Sequence, residues 1–198
     1  MAAESSAGPS AAEQSLRSRR SVPALQLCEP GPSSEQIERA IDAALRVPDH
    51  GALKPWRFVL IRGEARTSLA ALFVRRMLER DPVTPPGKLE KARRMPLCAP
   101  LVIAAAARIV TPHKVPEVEQ LLAGGAGIMN LLNVFHAQGY GAIWLTGGNA
   151  YDSQISQALQ LAADERLLGF IYVGSIAAGL GLAPRPIDRS GAVRDWSG

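Results

Sequence analysis

The stretch from Pro116 to Gln138 (PEVEQLLAGGAGIMNLLNVFHAQ) constrains this chain more than any other. Apolar residues fall on nearly every side of the helix it would form, and a helix that is apolar all round has to be buried. Glu119, Gln120, Asn130, Asn133 and His136 interrupt it too often for a membrane span, and no uninterrupted apolar run of about 18 residues occurs elsewhere. Gly124, Gly125 and Gly127 permit very close approach by whatever covers it. A small domain can cover such a helix only with a sheet plus further helices, or with a second subunit. The chain has 198 residues, 47% hydrophobic and 20% charged, which suits one packed domain and excludes wholesale disorder.

The remaining pattern supplies both sheet and helices. Residues 1–12 (MAAESSAGPSAA) are low in complexity and are expected to be disordered, leaving 13–198 as one domain that begins near Gln14. Leu16 to Arg20 reads as the end of a short helix, stopped by Ser21-Val22-Pro23. Ser33 or Ser34 caps the next helix, with Gln36 completing a capping box, and Ile37, Ala40, Ile41, Ala44 and Leu45 form its apolar stripe up to Pro48. Residues 65–80 and 88–94 are further helices, the former with Leu69, Leu72, Phe73 and Met77 on one face. Strands are expected at Trp56–Ile61, Ala99–Ala107, Tyr140–Thr146 and Leu168–Val173, the second buried on both faces because it is apolar throughout. The tail from Ser175 reads as an extended C-terminal arm. Helices come in pairs between strands, which favours α+β over a doubly wound sheet.

Several function classes fall away. Cys28 and Cys98 have no metal-site spacing and are too few for a disulfide scaffold, so no metal site is expected. The net charge of +4, without a basic run, does not point to nucleic acid and suits a small anionic ligand better. With no apolar leader segment and no membrane span visible, a cytoplasmic location is expected. No P-loop, GxSxG, HExxH or usefully spaced carboxylate pair occurs, so any hard chemistry falls to a bound cofactor.

Four segments could form a site. Arg17, Arg19, Arg20 and Ser21 offer forked donors and a hydroxyl to a phosphate, or form a solvated basic turn. The loop from Arg46 through Asp49-His50-Gly51 to Lys54-Pro55-Trp56 could hold a ligand close to its backbone, with His50 bonding a heterocycle, or be a tight turn before a core tryptophan. His113 and Lys114 precede the buried helix, where they add to its positive N-terminal end, or form a basic loop. Trp144-Leu145-Thr146-Gly147-Gly148 ends a strand in a turn whose N–H groups could face a phosphate or carbonyl, without the GxGxxG spacing of a Rossmann fingerprint.

In this order, RSRRS (17–21), AALRVPDHGALKPWRFVLI (43–61), HKVPEVEQ (113–120), QGYGAIWLTGG (138–148) and LLGFIYVG (167–174) resemble the nitroreductase superfamily of FMN-dependent NAD(P)H oxidoreductases, in its short single-domain form. The resemblance implies a nitroreductase-like fold: a mixed, mostly antiparallel sheet flanked by helices around a long buried central helix. It implies a homodimer with FMN at the subunit interface. Hydride would pass from NAD(P)H through the flavin to a small electron-poor acceptor, a nitro compound or quinone, in ping-pong order. Position by position it assigns Arg19, Arg20 and Ser21 to the flavin phosphate, Arg46 and His50 to flavin contacts from the partner subunit, and Trp144, Leu145 and Thr146 to the ring system. Lys54 would tune the flavin, and Gly139 falls in a stretch that resembles a nicotinamide-nucleotide contact. His113 and Lys114 are candidates for the nucleotide or an acidic acceptor. The chain departs from the pattern at Pro23 and Ala24, where relatives carry a basic residue, at Ala52 and Lys54 in place of an amide pair, and at Leu145 in place of an arginine. A metabolite dehydrogenase or desaturase and a non-catalytic redox sensor remain as alternatives.

Overall fold

A computed structural model describes residues 8–179 and 186–198. The order is α1 (Ala11–Ser18), β1 (Leu27–Cys28), α2 (Ser34–Ala44), β2 (Trp56–Arg62), α3 (Glu64–Arg80), α4 (Pro86–Arg94), β3 (Leu101–Arg108), α5 (Glu117–Ala137), β4 (Gly141–Leu145), α6 (Gly147–Ala150), α7 (Ser153–Ala158) and β5 (Glu165–Ile176). This is an α+β fold. β5 is the hub of the sheet: it pairs with β3, β4 and β1, and β3 continues to β2. Every pairing among the described residues is antiparallel.

β3 lies between two strands and under helices on both faces. Val102 and Ala104 join the core beneath α3, α4 and α7. Leu101, Ile103 and Ala105 join the core beneath α2 and α5. Its run Ala104–Ala107 carries one-carbon side chains, and α5 settles close upon it: a Cβ at Gly124 would stand 3.3 Å from Ala107 Cβ. Trp56 is buried as expected, and its indole N–H donates to Ala123 O at 3.0 Å, tying β2 to α5.

Four expectations need correction. α1 starts at Ala11, inside the segment expected to be disordered, because Ser10 and Glu13 form a capping box; residues 1–7 lie outside the described residues. Leu45 is 45% exposed, since α2 closes at Ala44 and turns it away from the stripe. The arm does not begin at Ser175, because Ser175 and Ile176 still pair with β1; part of it, 180–185, lies outside the described residues, and 186–198 form no helix or strand. Most consequential, α5 is covered on one side only. Ala123, Gly124, Gly127, Ile128, Leu131 and Phe135 are buried, while Val118 (59%), Leu122 (66%) and Met129 (39%) form an exposed apolar stripe.

Candidate functional site

The first arginine segment is drawn toward the C-terminal end of α5. α1 stops at Ser18, Arg19 follows in an extended conformation, and Val22 N–H donates to Ala142 O at the start of β4. Opposite stands His136, in the last turn of α5, its Nε2 2.9 Å from Ser18 Oγ. Arg19 and Arg20 are half-buried and Ser21 is exposed. Among the described residues neither arginine forms an ion pair, and Arg19 Nε is buried without a hydrogen-bond partner. Uncompensated cations here leave a receptor for an anion.

The second and third segments meet at the other end of the same helix. Asp49 closes its loop on itself: its carbonyl accepts Ala52 N–H at 3.1 Å and its carboxylate accepts Lys54 N–H at 2.7 Å. This closure places Gly51, Ala52 and Lys54 at φ of 78°, 52° and 52°. Left-handed backbone at non-glycine residues costs of order 1 kcal/mol each and clusters at ligand clamps. His50 Nδ1 lies 2.6 Å from Glu119 Oε2 of α5, which fixes the ring and leaves Nε2 for another partner. His113 lies against the same loop, its Cε1 3.6 Å from where a Gly51 Cβ would be, while its Nδ1 accepts Val115 N–H. Lys114 and Arg46 are exposed nearby in sequence to these two loops. A cavity of about 290 Å³ opens between Pro48, His50, Glu119, Leu122, Ala123 and Ala126.

The β4 segment is set by a bulge in the neighbouring strand. Ala105 pairs with Gly169 and Ala106 with Leu167, so Leu168 is the extra residue. Leu168 O is thereby free to accept the Trp144 indole N–H at 3.0 Å. Leu145 packs against the core beneath α3, and Thr146 is exposed at the strand end. The turn after it is a helix, α6, clamped to α3: Arg80 donates to Gly148 O, Asn149 Oδ1 and Asp152 Oδ2, and Arg76 Nε donates to the same carboxylate oxygen at 3.0 Å. Burial pushes the Asp152 carboxyl up, but the Arg76 and backbone hydrogen bonds outweigh it and hold it below the ordinary carboxylate value. Gly139, at φ 87°, is the C′ glycine of a Schellman motif, with Gly139 N–H to His136 O and Tyr140 N–H to Phe135 O. The left-handed backbone of that cap calls for a glycine at this position.

The structure therefore gathers the segments into two groups at the ends of α5. Arg19, Arg20 and Ser21 lie by the start of β4, where Val22 bonds Ala142, and His50 and Lys54 lie with His113; Trp144–Thr146 stand at the far end of β4, where Trp144 bonds Leu168 O. Glu119 and His136 mark the two groups on α5 and are separated by 17 residues, roughly 25 Å of helix axis. His136 and the Arg76–Arg80–Asp152 clamp escape a reading of sequence, because their partners are far away in the chain. Glu119 lay within the HKVPEVEQ segment, yet nothing in its spacing named His50.

The sequence profile of the nitroreductase family matches residues 16–175. The chain belongs to the nitroreductase family. This nitroreductase-family chain is 34% identical over 163 residues to "Putative NAD(P)H nitroreductase YdjA" of Escherichia coli (strain K12), covering 81% of this chain and 85% of YdjA. Its fold matches that of a nitroreductase-like family protein from Bacillus cereus with a TM-score of 0.78 at 20% identity, over 97% and 99% of the two chains. A structure from Desulfovibrio desulfuricans, described as a "putative nitroreductase in complex with fmn", matches with a TM-score of 0.72 at 21% identity, over 96% and 99%.

Proposed function

We propose that the protein is an FMN-dependent oxidoreductase that passes hydride from NAD(P)H to an electron-poor acceptor, and that it works as a homodimer with each flavin held between two protomers. The observation that carries this is the division of the site. One flavin cannot bridge the roughly 25 Å between the His136 and Glu119 ends of α5. The exposed stripe of Val118, Leu122 and Met129 runs between those ends. A two-fold axis across that stripe would set the arginine end of one protomer beside the His50 end of its partner, covering the apolar surface at the same time.

The residues fit the cofactor. Arg19 and Arg20 would hold the phosphate, consistent with the orphaned, buried Arg19 Nε, and the Ser21 hydroxyl adds a donor. Trp144, Leu145 and Thr146 would flank the ring system, on a strand end made rigid by the Leu168 and Arg80 contacts. Arg46 and His50 would come from the partner, and Lys54 would bring positive charge to that end. When bound, FMN supplies the two-electron carrier; the chain positions it and keeps one face open to donor and acceptor in turn. His113 and Lys114 would attract the nucleotide phosphates or an acidic acceptor.

The test is FMN titration of apo-protein together with mass measurement. Arg20→Ala loses a charge-assisted contact of about 1.5–3 kcal/mol, so FMN should bind roughly 10- to 100-fold more weakly. Unchanged affinity, or a flavin-loaded protein of monomer mass at micromolar concentration, would refute the arrangement. Anaerobic bleaching by NADPH or NADH, followed by reoxidation with a nitroaromatic or quinone, tests the reaction.

A further inference from the structure

The His136 corner holds more positive charge than a helix contact needs. Its ring nitrogen meets Ser18 of α1, and the charged groups acting on it are Arg19 and Arg20, in the segment that follows α1. Among the described residues no carboxylate lies within ion-pairing distance of any of the three. On α5 itself, one turn earlier, Asn133 Oδ1 is buried and has no partner among the described residues. Burial, then the charges of Arg19 and Arg20, hold the imidazole below its ordinary value, although the C-terminal end of a helix favours a cation. An anion placed on the arginines cancels the repulsion that keeps the proton off.

We infer that His136 is a third member of the anion cradle, taking up a proton when a phosphate monoester settles beside Arg19 and Arg20. This rests on the assignment of the FMN phosphate to that arginine pair and adds to it a basic group from α5. Phosphate binding and imidazole protonation then reinforce each other, because each binding event must favour the other by the same factor. The structural alternative is that His136 only ties α1 to α5 through Ser18. A tie affects stability, and it does not couple protons to phosphate.

The experiment is calorimetric titration of the full-length apo-protein with FMN at neutral pH, in phosphate-free buffers of different ionisation heat. Wild type should take up more protons than His136→Gln, by up to one, and the protons exchanged by FMN's own phosphate cancel in that difference. Between pH 8 and pH 6, wild type should gain FMN affinity over the variant, approaching tenfold per pH unit of restored basicity. Riboflavin, which lacks the phosphate, should show no difference between the two proteins. As a readout that does not depend on a variant's folding, the His136 imidazole resonance of the wild-type apo-protein should titrate at higher pH when inorganic phosphate is added. Equal proton uptake in the two proteins, or a resonance unmoved by phosphate, would overturn the inference while Arg20→Ala still weakens FMN. If Arg20→Ala leaves FMN binding unchanged, the cradle assignment fails, and the inference falls with it.

Discussion

Gly127→Ala adds one methyl group where α5 closes tightly on both Trp56 and the end of α2. Its Cβ would stand 2.9 Å from Trp56 Cδ1, 3.0 Å from Trp56 Nε1 and 3.0 Å from Ala44 O. None of these can yield alone: the indole is buried and bonded to Ala123 O, and the oxygen belongs to the last residue of α2. Replacing a mid-helix glycine by alanine gains roughly 0.5–1 kcal/mol from backbone entropy. Overpacking of a closed site costs about 1–3 kcal/mol. The balance is a net loss of up to about 2 kcal/mol, or several degrees in Tm for a chain of this size. Gly87→Ala is the matched control, because it lies in α4, where a new Cβ meets nothing within 4 Å. It should leave Tm unchanged or raise it slightly. Both variants are read by thermal unfolding of the apo-protein followed by far-UV circular dichroism. The clash would also shift α5 against β2, and with it Glu119 against His50, so FMN affinity should fall alongside stability. A Gly127→Ala protein as stable as wild type would refute the packing argument.

Asp152→Asn removes the carboxylate that Arg76 and Arg80 share, a side chain only 4% exposed, while Arg76 keeps Glu79 and Arg80 keeps Gly148 O and Asn149 Oδ1. It should cost about 1–3 kcal/mol, as read by denaturant melts at pH 7, because both arginines are partly exposed and keep other partners. Because the Asp152 carboxyl is held below its ordinary value, its contribution is present above that value and is lost as pH falls through the folded-state one; the variant should lack this component of acid unfolding. His136 acts in the opposite part of the scale. Its lowered value means that the unfolded chain binds the extra proton, so wild-type apo-protein should lose Tm relative to His136→Gln as pH drops below the ordinary imidazole range. Lys114→Glu should raise KM for the nucleotide or for an acidic acceptor at low salt, leave flavin content alone, and lose its effect as salt rises. Identical steady-state kinetics at low salt would assign Lys114 to a solvated loop.

What the sequence declared was local. Ser33 with Gln36 marked the start of α2, and the unbroken apolar run of β3 marked a strand covered on both faces. The Ser10–Glu13 box was equally readable, but it was hidden in a stretch of small residues that looked featureless. α6 and α7 were missed because Thr146-Gly147-Gly148 reads as a turn, and what makes it a helix is Arg80, held in place from α3. β1 has two residues and no pattern of its own; it exists because β5 is long enough to receive it. The site behaved in the same way. Its loops carried recognisable residue types, whereas the groups that orient them, Glu119 on His50 and Ser18 on His136, are brought there only by the tertiary fold.

The alanine run of β3 and the glycines facing it have a consequence for how such a protein can diverge. At Gly169 a side chain would meet Trp144 Nε1 at 2.5 Å and Leu145 O at 2.6 Å, at a φ of 138° that only glycine adopts with ease. Ala104–Ala107, Gly124 and Gly127 leave similarly little room. The side chains of Arg46, Lys54 and Lys114 are exposed and meet no such packing limit, although the backbone of the Arg46–Lys54 loop is held at Gly51, Ala52 and Lys54. Inherited change is therefore channelled: a lineage built on this frame can exchange its loop charges freely, and with them what it admits, while a few positions with one carbon or none hold the frame constant. A saturation library scored for folded protein should reproduce that division, with tolerance highest where chemistry is chosen and lowest where the smallest side chains stand.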